Sequence, residues 1–335
     1  MLDLQDFSGQ GTALVGMLNV FMESKGIVRP EKWREFCCET VPLLWMKKYT
    51  WTNDETFNGR IRLAHYGPTD LEDQCVTWRI KAGTQLVCKG VSGKVRVPTG
   101  TVTEIDLFCA DLRSIREARK LQVTLALKGT HFRNSYDIWV YPAQRLTAAS
   151  DKIVVARSFS RKVQTDLRAG KRVLLIPKID KIKQSVGGAF QTSFWCWPMF
   201  RTAALQAGVE VAPGTLGCLC DPEHPLFEGF PTDSHGDWQW WHLLKHSRPL
   251  ILDSTTKEYR PILQMIDNFA RNHKLGLICE AKVGKGKLLI CSIDLLSLQQ
   301  HPEAKQLLYC LQDYMGSSAF KPAFGLSPQT IGAIV

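Results

Sequence analysis

The first 45 positions switch from period-two to helical spacing. LDLQDF (2–7) alternates apolar and polar side chains, the pattern of a half-buried strand. GQGTALVGMLNVFMESKG (9–26) sets Leu14, Met17, Leu18 and Phe21 at helical spacing, with Gly26 as a stop. RPEKWREFCCETV (29–41) reads as a second short helix opened by Pro30. From 46 to 142 the pattern shortens to β-rich runs bounded by turns: KYTWT, FNGRIRLAHYG, CVTWRIK, QLVCKG, GKVRVP, VTEIDLF, LQVTLALKG and YDIWVYP. RIRLAHY and VTLAL alternate with period two. About seven short strands in roughly 100 residues predict a β-sandwich. The proline-led YPAQRLTAASD reads as a linker.

From 150 to 320, strands alternate with helices. KIVVA and RVLLIP flank the helical RKVQTDLRAG. GTLGCLC and RPLILD are further apolar strands, and RPILQMIDNFARNHK reads as a helix. LGLICEAKVGKGKLLICSIDL reads as two strands joined at Gly284-Lys285-Gly286. PEAKQLLYCLQDYM is a final amphipathic helix. This alternation predicts an α/β sandwich around a largely parallel sheet, with 321–335 as a tail.

Composition narrows the function classes. The 335 residues suit two or three domains, and 44% hydrophobic with 22% charged residues is ordinary for a globular protein. No apolar run reaches the roughly 20 residues of a membrane helix, so no membrane partner is expected. The net charge of +10 is spread over RSFSRKVQTDLRAGKR, KIDKIK and KVGKGK, each interrupted by apolar or acidic residues. No nucleic-acid-reading module accompanies it, so no nucleic-acid partner is expected. Eleven cysteines without spaced CxxC pairs are neither a disulfide scaffold nor a zinc motif.

HGDWQWWHLL (235–244) poses the sharpest question, because three tryptophans in four positions form either a sugar platform or core. On a helical wheel Trp238, Trp240 and Trp241 stand at about 0°, 200° and 300°. That spread favours a helix wedged between layers, leaving Trp238 as the candidate for sugar stacking. Asp237 or Ser234 is the expected cap. SFWCWPMFR (193–201) reads as a loop whose Phe194, Trp195 and Trp197 pack at a contact. VGKGK lacks the glycine and Ser/Thr positions of a phosphate loop and reads as a turn. Cys218-Leu-Cys220-Asp221 follows a strand but lacks the glycine of a nucleophile elbow, so both thiols read as core residues. His242 and His246 lack the Glu of an HExxH motif, and neither a metal nor a cofactor is expected.

LDLQDFSGQGTALVG, PLLWMKKYTWTNDETF, YDIWVYP, CDPEHPLFEGFPTDSHGDWQWWHLL and AKVGKGKLLICSIDL together resemble the C-terminal half of bacterial family 2 (beta-galactosidase-like) glycoside hydrolases. The resembled members carry an appended class I glutamine-amidotransferase-like domain. The resemblance implies a (β/α)8-barrel remnant over 1–45, an immunoglobulin-like β-sandwich over 46–142 and a flavodoxin-like or amidotransferase-like α/β sandwich over 150–320. Leu2-Asp3-Leu4-Gln5-Asp6 matches a W-D-W-x-D-like pattern on the eighth barrel strand, with leucine at both aromatic positions. Asp3, Gln5 and Asp6 become substrate-rim candidates.

A retaining glycosidase needs two carboxyl groups about 5–5.5 Å apart. In the resembled family these lie on earlier barrel strands. Asp3 and Asp6, three apart on a strand, point to opposite faces. The expectation is therefore an accessory portion that hydrolyses glycosides only with a complete barrel and has no catalytic residues of its own. The rival is a non-enzymatic carbohydrate-binding or scaffold protein. Expected partners are carbohydrate through the complete enzyme, a second copy of the chain, or the barrel segment. Localisation stays open, since any export signal would lie in the N-terminal part of the enzyme.

Overall fold

A computed structural model describes residues 4–6, 16–143, 153–188, 202, 205–208, 214–268 and 271–335. Asp3, the linker around 144–152 and the aromatic loop 193–201 lie outside the described residues. The chain divides into two compact units. The first comprises 1–49, 54–114 and 120–138, and the second 50–53, 115–119 and 139–335.

The first unit is built from antiparallel strands. One sheet has three: β1 (Thr40–Trp45), β3 (Thr56–His65) and β8 (Thr101–Asp111), with β3 in the centre. A five-stranded sheet runs in the order β2 (Thr50–Thr52), β10 (Arg133–Tyr141), β9 (Arg119–Leu127), β5 (Val76–Ala82) and β6 (Gln85–Val91). A ribbon of β4 (Leu71–Gln74) and β7 (Val95–Val97) completes the set. β2 and the last residues of β10, Trp139–Tyr141, belong to the second unit and pair in parallel. The period-two reading holds along β3, where Phe57, Ile61 and Leu63 are buried between more exposed neighbours. Trp78 of β5 stacks on Phe108 of β8 at 4.2 Å, so the two larger sheets face each other across an aromatic contact. Every β run expected between 46 and 142 has its strand.

Two strands escaped the sequence reading. β1 lies wholly before the expected boundary at residue 45, yet it forms an edge of the three-stranded sheet by pairing with β3 from Thr40↔His65 to Trp45↔Arg60. β4 is too polar to show an apolar period. The helices expected before β1 are also corrected. Residues 16–26 contain no helix, because the Asn19 side chain accepts the backbone N–H groups of Phe21 (2.9 Å) and Glu23 (3.0 Å) and closes a turn. Met22 follows in the left-handed region at φ 64°. The second helix is a single turn, α1 (Pro30–Trp33), since the chain must extend again by Thr40.

The second unit carries a mixed sheet in the order β11 (Ile153–Ala156), β12 (Arg172–Leu175), β17 (Gly286–Cys291), β16 (Lys274–Val283), β15 (Leu263–Ile266) and β13 (Gly217–Cys220). β14 (Leu250–Ile251) also pairs with β16. β11, β12 and β17 are parallel, and α2 (Arg161–Arg168) makes the first crossover, capped by Ser160. The other pairs are antiparallel, which corrects the expected largely parallel sheet. The reason was visible in VGKGK. Gly284 and Lys285 join β16 to β17 directly, with Gly284 at φ 59°, and a two-residue connection serves only antiparallel strands.

RPILQMIDNFARNHK is another correction. It forms β15, with Leu263 and Met265 buried and Gln264 and Ile266 half-buried, laddered by β13 on one side and β16 on the other. Ile262, Met265 and Ile266 mimic helical spacing, but two flanking ladders outweigh so weak a propensity. No helix among the described residues is long and apolar enough to cross a membrane.

The expected tail is structural. Phe324 accepts the Lys282 N–H at 2.8 Å and Leu326 donates back to Lys282 at 3.0 Å. α5 (Pro328–Ile334) then buries Ile331 and Ile334 in the core cluster that holds Val173, Leu250, Leu288 and Ile290. Ile331→Ala should lower unfolding stability by about 2–5 kcal/mol in urea titration, as for a buried aliphatic. A change near zero would return these residues to the status of a tail.

Candidate functional site

The tryptophan stretch resolves into two short helical pieces. Asp237 caps a 3-10 turn, Trp238–Trp240, by accepting the Gln239 N–H at 3.0 Å, and α3 (Trp241–Lys245) continues it. Trp240 is fully buried against Phe227 and Phe230, and its Nε1 donates to Thr232 Oγ1 at 2.9 Å. Gln239 is buried too. It donates to the Pro231 carbonyl (2.8 Å) and accepts from the Tyr141 hydroxyl (2.5 Å). Burial pushes that tyrosine well above its ordinary value, so it stays a neutral donor. Trp238 and Trp241 are instead 55% and 47% exposed, with centroids 6.2 Å apart and planes at 53°. The three tryptophans thus divide: one indole is core, and two form a bent aromatic surface beside Lys245, whose ammonium lies 5.3 Å from the Trp241 ring.

Next to that surface the fold assembles a cluster the sequence reading missed. α4 (Pro302–Gly316) begins with Pro302 and carries Glu303 in its first turn, where a carboxylate suits the helix dipole. Glu303 is 1% exposed. Thr50 Oγ1 donates to its Oε2 at 2.6 Å, and His242 Nδ1 donates to its Oε1 at 2.8 Å. His301, the residue before α4, brings its Nδ1 to 3.6 Å from the same Oε1. The two imidazole rings lie 4.1 Å apart. The chain after β17 runs against the chain after α3, Arg248 N bonding Ser292 O (3.0 Å) and Asp294 N bonding His246 O (2.9 Å). That pairing delivers His301 and Glu303 to His242. His246 does not join them, because its Nδ1 donates to the His242 carbonyl at 2.8 Å. The missing signal was the carboxylate, 61 residues beyond His242. His301-Pro-Glu303 reads locally as a helix start.

The rim candidates do not converge on this cluster. Asp3 lies outside the described residues. Gln5 forms an isolated bridge with Leu18, and its side chain donates to the Val20 carbonyl at 3.4 Å. Asp6 is buried, paired with Lys25 at 2.5 Å, and accepts the Gly16 N–H at 2.7 Å. The Lys25 hydrogen bond holds its carboxyl below the usual range. Gly16 packs so closely on the Gln5–Asp6 backbone that a Cβ there would strike it. Asp6 therefore clamps a turn.

The two thiols on β13 stand at the sheet edge. Burial pushes Cys218 up to about 12 and Cys220 to about 11, leaving almost no thiolate at neutral pH. Cys37 and Cys109 are exposed. Iodoacetamide at pH 7.5, read by peptide mass mapping, should modify Cys37 and Cys109 while Cys218 and Cys220 stay unmodified until unfolding. Rapid labelling of Cys218 or Cys220 in the folded chain would revive a nucleophilic role.

No curated protein sequence matches the chain. Among solved structures it is similar to an alkylpurine DNA glycosylase, AlkC, of Pseudomonas fluorescens bound to DNA with an abasic site analog (16% identity, TM-score 0.25, covering 31% of each chain). It is also similar to a family 123 glycoside hydrolase from Clostridium perfringens (5% identity, TM-score 0.24, covering 52% of this chain and 46% of that one). A third is the Parabacteroides merdae beta-glucuronidase (10% identity, TM-score 0.23, covering 41% of this chain and 21% of that one). The chain spans less than half of each of these, and with scores this low none identifies a shared whole-chain fold. Two family models match: Domain of unknown function (DUF8488) over residues 55–142, and Domain of unknown function (DUF8487) over residues 154–335. The latter spans more than half of the 335 residues, and the chain belongs to the DUF8487 family.

Proposed function

We propose that this chain is the C-terminal accessory part of a family 2 (beta-galactosidase-like) glycoside hydrolase and does not cut glycosidic bonds by itself. The finer fold reading belongs to the same proposal: a barrel remnant ahead of β1, an immunoglobulin-like sandwich, and an amidotransferase-like α/β unit. The motifs from LDLQDF to AKVGKGKLLICSIDL and their order support it.

The observation that carries the inactive reading is the fate of the buried carboxylates. Five are buried among the described residues: Asp6, Glu35, Asp166, Asp267 and Glu303. Asp6 holds Lys25. Glu35 holds Lys32 at 2.6 Å and Ser135 at 2.5 Å, Asp166 holds Lys171 at 2.8 Å, and Asp267 holds Arg271 at 2.6 Å. Glu303 is taken by Thr50 and His242. Each anion is neutralised or bonded as a structural group. Glu280, half-buried on β16, is pushed upward by burial and bonds Tyr314 Oη at 2.7 Å. One such acid does not make the acid and nucleophile pair of a retaining glycosidase. The chain's contribution is then assembly, or the shape of the entrance to a barrel's site. The purified chain should leave a panel of aryl glycosides at the buffer rate. Turnover that disappears in Glu280→Gln or Glu303→Gln would overturn this reading.

The exposed Trp238 and Trp241 favour a second reading, a non-enzymatic carbohydrate-binding protein. Under it, oligosaccharide titration should shift tryptophan emission, and Trp238→Ala should lose most of the shift. An unchanged spectrum at millimolar sugar removes this reading.

A further inference from the structure

We propose that His242, His301 and Glu303 form a binding site for a divalent transition metal of the zinc class, at the meeting of α3 with the start of α4. This inference does not rest on the glycoside reading.

Three ligand atoms, two imidazole nitrogens and one carboxylate oxygen, all lie within 4.8 Å of one another. Zinc bound at about 2.0–2.2 Å in a tetrahedron sets its ligand atoms roughly 3.3 Å apart. The two spacings to Glu303 Oε1, 2.8 Å and 3.6 Å, bracket that value. A small opening of the His242 pair and a small closing of the His301 pair would seat the ion. Two imidazoles with one carboxylate suit zinc and its neighbours better than calcium or magnesium, which take oxygen donors.

Charge points the same way. A carboxylate buried this deeply costs several kcal/mol unless a positive charge meets it. Among the described residues the direct partners of Glu303 are Thr50, His242 and His301, none of them a Lys or Arg. A cation seated between the imidazoles would supply that charge. Thr50 holds Oε2 and leaves Oε1 turned to the rings, as an outer partner orients a ligating carboxylate. His242 and His301 are partly exposed, with side-chain exposures of 41% and 25%, so an ion has a route in and a fourth position remains for water.

The test uses the full chain, reduced and stripped with chelator. Zinc chloride titrated in a calorimeter should bind at one equivalent. Cobalt(II) should give the visible bands of a tetrahedral nitrogen–oxygen site without thiolate charge transfer. His242→Ala and His301→Ala, with folding checked by circular dichroism, should each abolish one-to-one binding. Thr50→Val should weaken it roughly 10–100-fold. Three results overturn the proposal: no one-to-one binding at submillimolar zinc, binding that survives both histidine substitutions, or a cobalt spectrum dominated by thiolate. Glu303→Gln is an additional variant, and the histidine variants carry the test if it fails to fold.

Discussion

A two-residue connection organises the second unit. With only Gly284 and Lys285 between them, β16 and β17 must run antiparallel, and every other strand pairing is added to that hairpin. β17 takes the parallel β12 and β11 on one side. β16 takes β15 on its other edge, while β14 pairs with Leu275 and Gly276 on the edge that β17 occupies further along, and the end of β16 receives the 324–326 segment that leads into α5. The apolar cluster of Val173, Leu288, Ile290 and Ile331 fills the space beside it. The same hairpin sets the chemistry. The segment leaving β17 bonds the segment leaving α3, and so His301 and Glu303 arrive at His242 from far along the chain.

Electrostatics follow a common rule across both units. Buried carboxylates are met by lysine, arginine, hydroxyl or imidazole, and buried thiols are kept protonated by desolvation. Glu303 differs from the other buried acids because, among the described residues, its direct partners are imidazoles and a hydroxyl.

Much of the fold was legible in the sequence. Period-two runs such as RIRLAHY and VTLAL reported strands with one face in the core, and PEAKQLLYCLQDYM reported its helix. What failed had identifiable causes. RPILQMIDNFARNHK carries both periods, and only its neighbours on either side choose the strand. Asn19 intercepts a helix through its side chain, which apolar spacing does not register. α5 is short, and Ile331 and Ile334 show their role only once a core stands beside them. The site was half legible. The caps and aromatics of HGDWQWWHLL stood out, including Asp237 as the cap, but which indole would be buried depended on Phe227 and Phe230. The Glu303 cluster was invisible, since its members come from three separate stretches of chain.

The central claim of the proposed function is that no two carboxyl groups among the described residues share a catalytic proton. Carbon-13 NMR of the aspartate and glutamate carboxyls against pH reads this most directly. The account predicts independent single-step curves, with Glu280 displaced upward by its burial. Two carboxyls that titrate together in two shared steps, the signature of a converging pair, would contradict it.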